Sequence, residues 1–198
     1  KTAIEAGRAL LYDASRVVDL AIGYNTQLET HPPGDKDALK ALKDRARVYK
    51  RFAGLLTPMS KYYCSEMCNR VAYDAMQVLG GSGFMRDYPC ERYARDARIT
   101  TIYEGTSQLQ IVAAVRGVCS GTAEKYFEEL AAGPYDADVA DLLGKLAEGV
   151  AQLKAAVEFT KSQGNEYMDL YGRPLVDAAI DLIEIGRASC RERVYHPV

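Results

Sequence analysis

The chain has 198 residues, of which 48% are hydrophobic and 26% are charged, and its formal net charge at pH 7 is −2. This length suits one large or two small globular domains with a substantial core. The near-neutral charge excludes a bulk attraction to nucleic acid or to an anionic membrane. No apolar run approaches the roughly 18 residues that a membrane-spanning helix needs.

The first part of the chain is predicted to form two long helices. Apolar residues recur on one face over about 2–28, and a breaker at 30–34 ends this helix. Asp35 can cap a second helix over about 36–79, in which Pro58 is expected to produce a kink or a division. Seven lysine and arginine residues crowd the first half of this helix, and such a run is more typical of a solvated face than of a binding site.

Shorter elements are predicted next. The glycine-rich residues 80–83 end the second helix and are followed by a short helix at about 89–95. A turn near Glu104 then leads into another helix over about 107–130. The residues 132–134, Ala-Gly-Pro, mark a boundary after it.

The remaining apolar pattern predicts two further helices, over about 139–157 and 175–183. Because no segment alternates as a β-strand does, the predicted fold class is all-α, an up-and-down helical bundle with a smaller helical extension. The predicted domains are the bundle over 1–131 and an additional, truncated helical region over 135–183.

The end of the chain departs from the pattern that precedes it. Residues 184–194 match what a widely used sequencing adapter encodes when it is translated in one frame, and Arg187 and Arg191 occupy positions where the last helix would need apolar residues. We therefore expect residues 184–198 to be a non-native tail that does not continue this helix. The alternative is an ordinary basic C-terminal tail.

Cysteine and histidine do not form a site in this sequence. The five cysteines lack metal or disulfide spacing, and although Cys64 and Cys68 share a helix face, buried free thiols are the better interpretation. The two histidines, His31 and His196, lie beside a turn and near the end of the chain, which excludes a histidine-based triad. We therefore expect no metal, and any proton chemistry must depend on carboxylates.

The segment 77–108 is the most informative part of the sequence. In chain order it contains Gln77-Val78-Leu79-Gly80-Gly81-Ser82-Gly83-Phe84, Tyr88-Pro89, Arg95-Asp96-Ala97-Arg98-Ile99 and Ile102-Tyr103-Glu104-Gly105-Thr106-Ser107-Gln108. The glycine run permits positive φ angles and close approach of the backbone to a ligand, but alone it is also a common helix terminator. It does not match the dinucleotide-binding fingerprint, because no strand precedes it.

Glu104 is the candidate base in this segment. Thr106 and Ser107 after it can cap the next helix and can offer backbone N–H groups to an anion. Burial beside the ring of Tyr103 would make the carboxylate a better base. From the residues alone, a plain capping or salt-bridging glutamate is the favoured alternative.

These blocks, in this order and spacing, resemble the C-terminal helical domain of the acyl-CoA dehydrogenases. The resemblance covers roughly residues 1–125, and the segment 77–108 is similar to the family signature nearly without gaps. The helical region that follows resembles the longer branch of the family, which has an extra C-terminal helical domain. The resemblance implies an FAD-dependent enzyme that converts acyl-CoA thioesters into trans-2-enoyl-CoA.

The resemblance also implies roles for individual residues. Glu104 would remove the α-proton while the β-hydrogen leaves as hydride to flavin N5, and the Glu104 N–H would help to hold the thioester carbonyl. Tyr103 and Gly105 would shape the acyl pocket. The residues implied in cofactor binding are Gln77, Val78, Leu79, Gly80 and Gly81, against the FAD of the neighbouring subunit, and Thr106, Ser107 and Gln108 in the same subunit.

Partners follow from the same resemblance. They are the acyl-CoA substrate, an electron-transfer flavoprotein as electron acceptor, and further copies of the protein in a homodimer or homotetramer, in the bacterial cytoplasm or the mitochondrial matrix. Arg95, Asp96 and Arg98 are expected only to form ion pairs that fix the loop. The segments that supply most flavin and acyl-CoA contacts in the family lie outside this chain, so the chain alone is expected to be inactive.

Two other functions stay open. A related stress- or DNA-associated flavoprotein of the same fold is disfavoured by the net charge of −2. A helical interaction module without chemistry is disfavoured by the presence of Glu104 within an intact signature.

Overall fold

The computed structural model of the chain describes residues 2–133, 135 and 139–191, and these residues form nine helices and no strand. The helices are α1 (Thr2–Thr30), α2 (Lys36–Leu79), α3 (Gly81–Phe84), α4 (Cys90–Ile99), α5 (Ser107–Cys119), α6 (Thr122–Ala131), α7 (Ala140–Gln163), α8 (Asn165–Tyr171) and α9 (Arg173–Arg191). The all-α fold class is therefore confirmed. None of these helices is both long and apolar enough to cross a membrane.

The two long helices pack along each other and form the frame of the bundle. The Asp35 carboxylate caps α2 as predicted, because it accepts a hydrogen bond of 2.8 Å from the Ala38 N–H. Pro58 is buried inside a continuous α2, so it does not divide the helix. The seven basic side chains in the first half of α2 are all exposed, as expected of a solvated face.

One hydrophobic core joins the bundle to the C-terminal helices. Its buried members include Leu10 and Val17 of α1, Leu55, Leu56 and Met59 of α2, Ile111 and Val115 of α5, Leu146 of α7, and Val176, Ala179 and Ile180 of α9. Helices α7 and α9 therefore pack on the bundle predicted for residues 1–131 and share its core. Their correspondence to the extra domain of the longer family branch stays a prediction.

The predicted helix over 107–130 is wrong in one respect, because the chain breaks it into α5 and α6. Gly121 adopts a φ of 78° between the two helices, and Ser120 ends α5. A glycine is tolerated inside a helix, so its sequence signal did not distinguish a weak helical position from a break. The short helices α3 and α8 were also not predicted.

The last helix extends further than the sequence pattern indicates. Helix α9 continues to Arg191, so the expectation that residues from 184 onward leave the helix is wrong for 184–191. Ile185 packs against the core, and a Cβ added to the buried Gly186 would contact Leu130. These two residues continue the apolar face of α9, and Arg187 follows them in the sequence. The foreign origin of the tail stays a prediction, and residues 192–198 lie outside the described part of the chain.

Candidate functional site

The Glu104 turn, residues 100–106, connects α4 to α5. The N–H groups of Ile102 and Tyr103 both donate to the carbonyl of Ile99, at 2.9 and 3.1 Å, and so fold the chain back at the end of α4. Glu104 then has a φ of 54° and Gly105 a φ of 89°. A residue with a Cβ adopts the left-handed conformation at a cost of roughly 1–2 kcal/mol. Its presence at Glu104 indicates that surrounding contacts hold the turn.

Gln110 supplies one of these contacts from the first turn of α5. Its side-chain amide donates a hydrogen bond of 3.0 Å to the carbonyl of Glu104. A Cβ at Gly105 would lie 2.8 Å from the same Gln110 nitrogen. The positive φ of Gly105 favours glycine at this position, and an added Cβ would also displace the flexible end of the Gln110 side chain.

Lys61 and Asn69, two turns apart on α2, hold the other side of the Glu104 turn. The Lys61 ammonium donates hydrogen bonds of 2.8 Å to the carbonyls of both Thr100 and Gly105. It also lies 5.8 Å from the centroid of the Tyr103 ring, within the range of a cation–π contact. The Asn69 amide donates to the Ala97 carbonyl at 2.9 Å. Sequence analysis missed both residues, because they are separated from the turn by about 30 or more positions of chain and occupy ordinary helical positions.

The predicted cofactor residues at the start of α5 are partly engaged within the chain. The Thr106 hydroxyl caps α5 by accepting from the Leu109 N–H. The buried Ser107 hydroxyl donates to a Glu66 carboxylate oxygen at 2.6 Å, and the Ser107 N–H donates to the Thr101 carbonyl at 3.1 Å. Gln108 is exposed, and its amide donates to the Asp169 carbonyl at 3.3 Å.

The glycine segment, residues 77–84, ends α2 as predicted. Gly80 has a φ of 58° and its N–H donates to the Gln77 carbonyl at 3.1 Å, which stops the helix. A Cβ at Gly83 would lie 2.5 Å from the Met76 carbonyl oxygen, so only glycine allows the chain to turn back onto α2. All five predicted cofactor residues of this segment are exposed: Gln77, Val78, Leu79, Gly80 and Gly81.

The Glu104 turn and the glycine segment lie at different points along α2. Gln77 is eight residues beyond Asn69, which corresponds to about 12 Å along the helix axis. Helix α4, which leads into the turn, also packs on α2. The structure therefore brings both groups to α2 but does not join them into one described pocket.

Glu104 itself is exposed within this chain, and Tyr103 is 50% exposed. The burial beside Tyr103 that the sequence interpretation required is therefore absent from the described residues. The Glu104 N–H has no hydrogen-bond acceptor among these residues. The turn thus presents an exposed carboxylate and an available N–H donor on the same strained residue.

Other candidate groups have structural partners. Arg98 donates a hydrogen bond to the Thr101 hydroxyl, and no ion pair joins Arg95, Asp96 or Arg98 to another described residue, so the expected ion pairs stay a prediction. Burial raises the pKa of the Cys64 thiol, and that thiol donates to the Gly7 carbonyl at 3.8 Å.

Cysteines and acidic residues give no metal site in this part of the chain. The four cysteines whose side chains are described, Cys64, Cys68, Cys90 and Cys119, are free thiols, but Cys68 is exposed and Cys64 only partly buried, so the expected burial of this pair is wrong. No group of three or more histidine, cysteine, aspartate or glutamate side chains could hold a metal ion within the described ranges.

A groove of about 510 Å³ beside the basic part of α2 does not favour a nucleic-acid site. Its cationic lining residues are Arg47, Arg51 and Lys125, and its anionic ones are Asp44, Glu124 and Glu128. Equal numbers of opposite charges do not provide the positive surface that a phosphate backbone requires.

The glycine segment and Gln108 expose side chains that are chemically compatible with one side of a flavin cofactor. Val78 is 86% exposed and Phe84 77% exposed, and a Cβ at Gly80 or Gly81 would meet no other atom. Open backbone, apolar side chains and the neutral amides of Gln77 and Gln108 suit the uncharged ring of a flavin. These residues supply no cation for a diphosphate, so they fit one side of such a cofactor and not the whole of it.

Comparisons with known proteins agree with this arrangement. Residues 36–119 match the family described as acyl-CoA dehydrogenase, C-terminal domain. The chain is 45% identical over 65 residues to the probable acyl-CoA dehydrogenase FadE25 of Mycobacterium tuberculosis, covering 33% of this chain and 17% of that protein. It is 45% identical over 69 residues to the mitochondrial short-chain specific acyl-CoA dehydrogenase of Bos taurus, covering 35% and 16%.

Two further comparisons add to these. The chain is 52% identical over 52 residues to the Caffeyl-CoA reductase-Etf complex subunit CarC of Acetobacterium woodii, covering 26% of this chain and 14% of that protein. A solved structure titled "Bd2924 apo-form" has a TM-score of 0.54 at 17% identity, covering 77% of this chain and 28% of that one, and this likeness concerns the fold alone.

The matched segment, with the all-α bundle and the Glu104 turn, is similar to the acyl-CoA dehydrogenase C-terminal domain over residues 36–119. Residues 77–108, which carry the signature, lie inside this match. The matches cover only 14–17% of the length of the curated relatives described above. The extra C-terminal region lies outside the family match.

Proposed function

We propose that this chain is part of an FAD-dependent acyl-CoA dehydrogenase in which Glu104 is the base that removes the α-proton of the acyl-CoA thioester. The observation that carries the proposal is the Glu104 turn, which holds an exposed carboxylate on a residue with a φ of 54° by contacts from two helices. Strained backbone at an exposed acidic residue is typical of an active site. A capping or salt-bridging glutamate would not need this conformation, and Glu104 forms no ion pair with a described residue.

The chemistry of the proposed reaction follows from the groups in the turn. Glu104 takes the α-proton as the α C–H bond breaks, and the electron pair left on the α-carbon forms the double bond to the β-carbon. The available N–H of Glu104 would donate to the thioester carbonyl, where enolate-like negative charge develops. Bound FAD would accept the hydride that leaves the β-carbon.

The predicted cofactor residues divide into two groups in this proposal. The glycine segment and the exposed amide of Gln108 would contact the flavin. Ser107 would act mainly by its backbone position, because its hydroxyl is bonded to Glu66. Tyr103 and Gly105 would border the acyl chain beside the base.

The proposed partners rest on the relatives and on the exposed surface. The name of the CarC relative places that protein in a complex with an electron-transfer flavoprotein, which supports such a partner here. The exposed apolar residues of the glycine segment support assembly with further protein, and a homodimer or homotetramer is the form that we propose. The bovine relative is mitochondrial by name, and a bacterial homologue would act in the cytoplasm.

The experiment that tests the proposal is the Glu104→Gln substitution in the whole flavoprotein that contains this chain. The variant should retain FAD and bind acyl-CoA, while the rate of flavin reduction by acyl-CoA should fall by about 10³-fold or more, since an amide cannot take the proton. Stopped-flow absorbance of the flavin measures this rate.

A matched control separates loss of the base from loss of a charge. Glu148→Gln alters an exposed glutamate of α7, remote from the turn, and should leave the rate unchanged. Flavin reduction by Glu104→Gln at the wild-type rate would reject the assignment. A whole protein that binds no FAD would favour the helical interaction module instead.

A further inference from the structure

Lys61 spans the Glu104 turn with a single ammonium group. Its Nζ donates to the Thr100 carbonyl at the start of the turn and to the Gly105 carbonyl directly after Glu104, both at 2.8 Å. We propose that Lys61 is a positioning residue that fixes the backbone on both sides of Glu104 and thereby aims its carboxylate at the substrate. This inference rests on the proposed function of Glu104.

The conformation of the turn explains why such a residue is needed. Glu104 and Gly105 have consecutive positive φ angles, and a chain that is not held would relax Glu104 to a negative φ. That change would reorient the bond from Cα to Cβ and with it the carboxylate. The carbonyls of both residues are restrained from outside the turn, that of Glu104 by Gln110 and that of Gly105 by Lys61.

The partners of Lys61 distinguish positioning from charge neutralisation. Within the described part of the chain Lys61 forms no ion pair, so it holds the turn through carbonyl oxygens and leaves the Glu104 carboxylate unpaired. A base that is held by its backbone stays available to accept a proton, whereas a direct ion pair would make it a weaker base. The Tyr103 ring, 5.8 Å from Nζ, covers the ammonium from one side.

Helix α2 gives Lys61 a rigid support. Ser65 and Asn69 follow at one-turn intervals, and the Asn69 amide donates to the Ala97 carbonyl at the end of α4. Two side chains of one helix face therefore fix the end of α4 and the turn after it. The opposite face of α2 is buried in the main core, so the helix backbone is held in place. Lys61 and Asn69 therefore start from fixed positions.

The test uses Lys61→Met, Lys61→Gln and Lys61→Arg in the whole flavoprotein, with Lys145→Met, an exposed lysine of α7, as the matched control. Lys61→Met should retain FAD and bind acyl-CoA with a Kd within about threefold of wild type, while the flavin-reduction rate falls by roughly 10- to 100-fold, because a displacement of the order of 1 Å has an effect of this size. The flavin-reduction rate of Lys61→Gln should lie between those of Lys61→Met and wild type. Lys61→Arg, which keeps the N–H donors, should recover most of the wild-type rate. Lys145→Met should equal wild type.

A second measurement reports on the turn without activity. Hydrogen–deuterium exchange followed by mass spectrometry should show amides of residues 100–107 exchanging at least about fivefold faster in Lys61→Met, since loss of two hydrogen bonds opens the turn locally. Amides of α6 should exchange as in wild type. Faster exchange in both regions would indicate general destabilisation and would overturn the positioning role.

The outcomes separate this inference from the function on which it rests. If Glu104→Gln is inactive but Lys61→Met reduces flavin at the wild-type rate, the positioning role is wrong and the base assignment stands. If Glu104→Gln is fully active, the base assignment itself is wrong. Should Lys61→Met fail to fold, Lys61→Gln decides the question, since an unchanged rate in that variant overturns the proposal and a lowered rate with unchanged Kd supports it.

Discussion

The Glu104 turn and the glycine segment belong to the same sequence signature, yet they are stabilised in different ways. Lys61, Asn69 and Glu66 of α2 hold the turn and the adjoining ends of α4 and α5 through hydrogen bonds of 2.6–2.9 Å. The glycine segment has only local backbone bonds, such as Gly83 N–H to the Gly80 carbonyl, and its side chains are exposed. The turn is therefore held by contacts within this chain, whereas the glycine segment leaves its side chains exposed.

The difference indicates that the Glu104 turn and the glycine segment would have separate roles in an active site. A base must be held in one orientation before substrate arrives, and long-range side chains from a rigid helix provide that order. A surface for a flat cofactor needs close approach, which exposed glycines and small apolar side chains provide without fixed contacts. Substitutions in the turn should thus affect stability and rate, and those in the glycine segment should affect binding.

The largest loss of stability in the Glu104 turn is expected for Gly105→Ala. The new Cβ would sit at a φ of 89° and 2.8 Å from the Gln110 nitrogen, so the free energy of unfolding should fall by about 1–3 kcal/mol. Chemical denaturation monitored by circular dichroism measures the loss. The control is Gly23→Ala inside α1, where the added Cβ meets no atom and up to about 1 kcal/mol of stability should be gained. Equal effects at the two sites would contradict the account.

Ser107→Ala tests the bond between the turn and α2. The substitution removes a 2.6 Å hydrogen bond and leaves the Glu66 oxygen without its donor, which should cost about 1–2 kcal/mol. Ser15→Ala is the matched control, because its hydroxyl is exposed and bonds only to the Leu11 carbonyl of the same helix. It should change stability by less than about 0.5 kcal/mol. A neutral Ser107→Ala would mean that the turn is not anchored to α2 at this point.

Tyr62 links α2 to α9 and gives a pH signature. Burial, and next the hydrogen bond to Asp177, raise the pKa of Tyr62 from 10.0 to about 12. Because the folded state keeps this proton more firmly than the unfolded state, the stabilisation is complete below pH 10 and is lost as the pH rises through 12. Tyr62→Phe should cost about 1 kcal/mol at pH 8, and its difference from wild type should vanish toward pH 12.

Thermal unfolding between pH 8 and pH 12 measures the stability difference between Tyr62→Phe and wild type. The absorbance of tyrosinate measures the raised pKa of Tyr62. Tyr12→Phe, at a tyrosine that is 70% exposed, should not alter the alkaline loss of stability. A difference between Tyr62→Phe and wild type that persists unchanged at pH 12 would show that the hydroxyl is not held as described.

The smallest effect on stability is expected in the glycine segment. Val78 is 86% exposed, so Val78→Ser should change the free energy of unfolding by less than about 0.5 kcal/mol. Val176→Ser, at a fully buried position of α9, should cost roughly 2–4 kcal/mol. If the whole protein binds FAD as proposed, Val78→Asp should nevertheless weaken FAD retention or subunit assembly, as measured by bound flavin and by sedimentation. Unchanged FAD retention and unchanged subunit assembly in Val78→Asp would contradict a binding role for the glycine segment.

Local signals predicted most of the fold. Asp35 as a cap, Gly80 as a stop and the three- and four-residue apolar spacing act within a few positions of chain, and each predicted the element that the structure contains. The break at Gly121 was missed because a glycine inside an apolar pattern is compatible with either outcome. The extension of α9 was missed because Ile185 and Gly186 pack on Leu130 and other core residues far away in sequence.

The candidate site was predictable only in part for the same reason. Glu104 and Gly105 stand next to each other in the sequence, so their position in a turn could be inferred. Lys61 and Asn69 carry no local signal, because their partners lie 28 to 44 positions later in the chain. The exposure of Glu104 could not be predicted either, since burial depends on which surfaces meet the turn.

The most direct test of the central claim is a crystal structure of the whole flavoprotein with FAD and an unreactive acyl-CoA analogue. A Glu104 carboxylate oxygen should lie about 3–3.5 Å from the α-carbon of the analogue. Glu104 and Gly105 should keep their positive φ angles, and Lys61 should keep both carbonyl contacts. A bound analogue whose α-carbon lies beside a different carboxylate, with Glu104 still facing solvent, would contradict the claim.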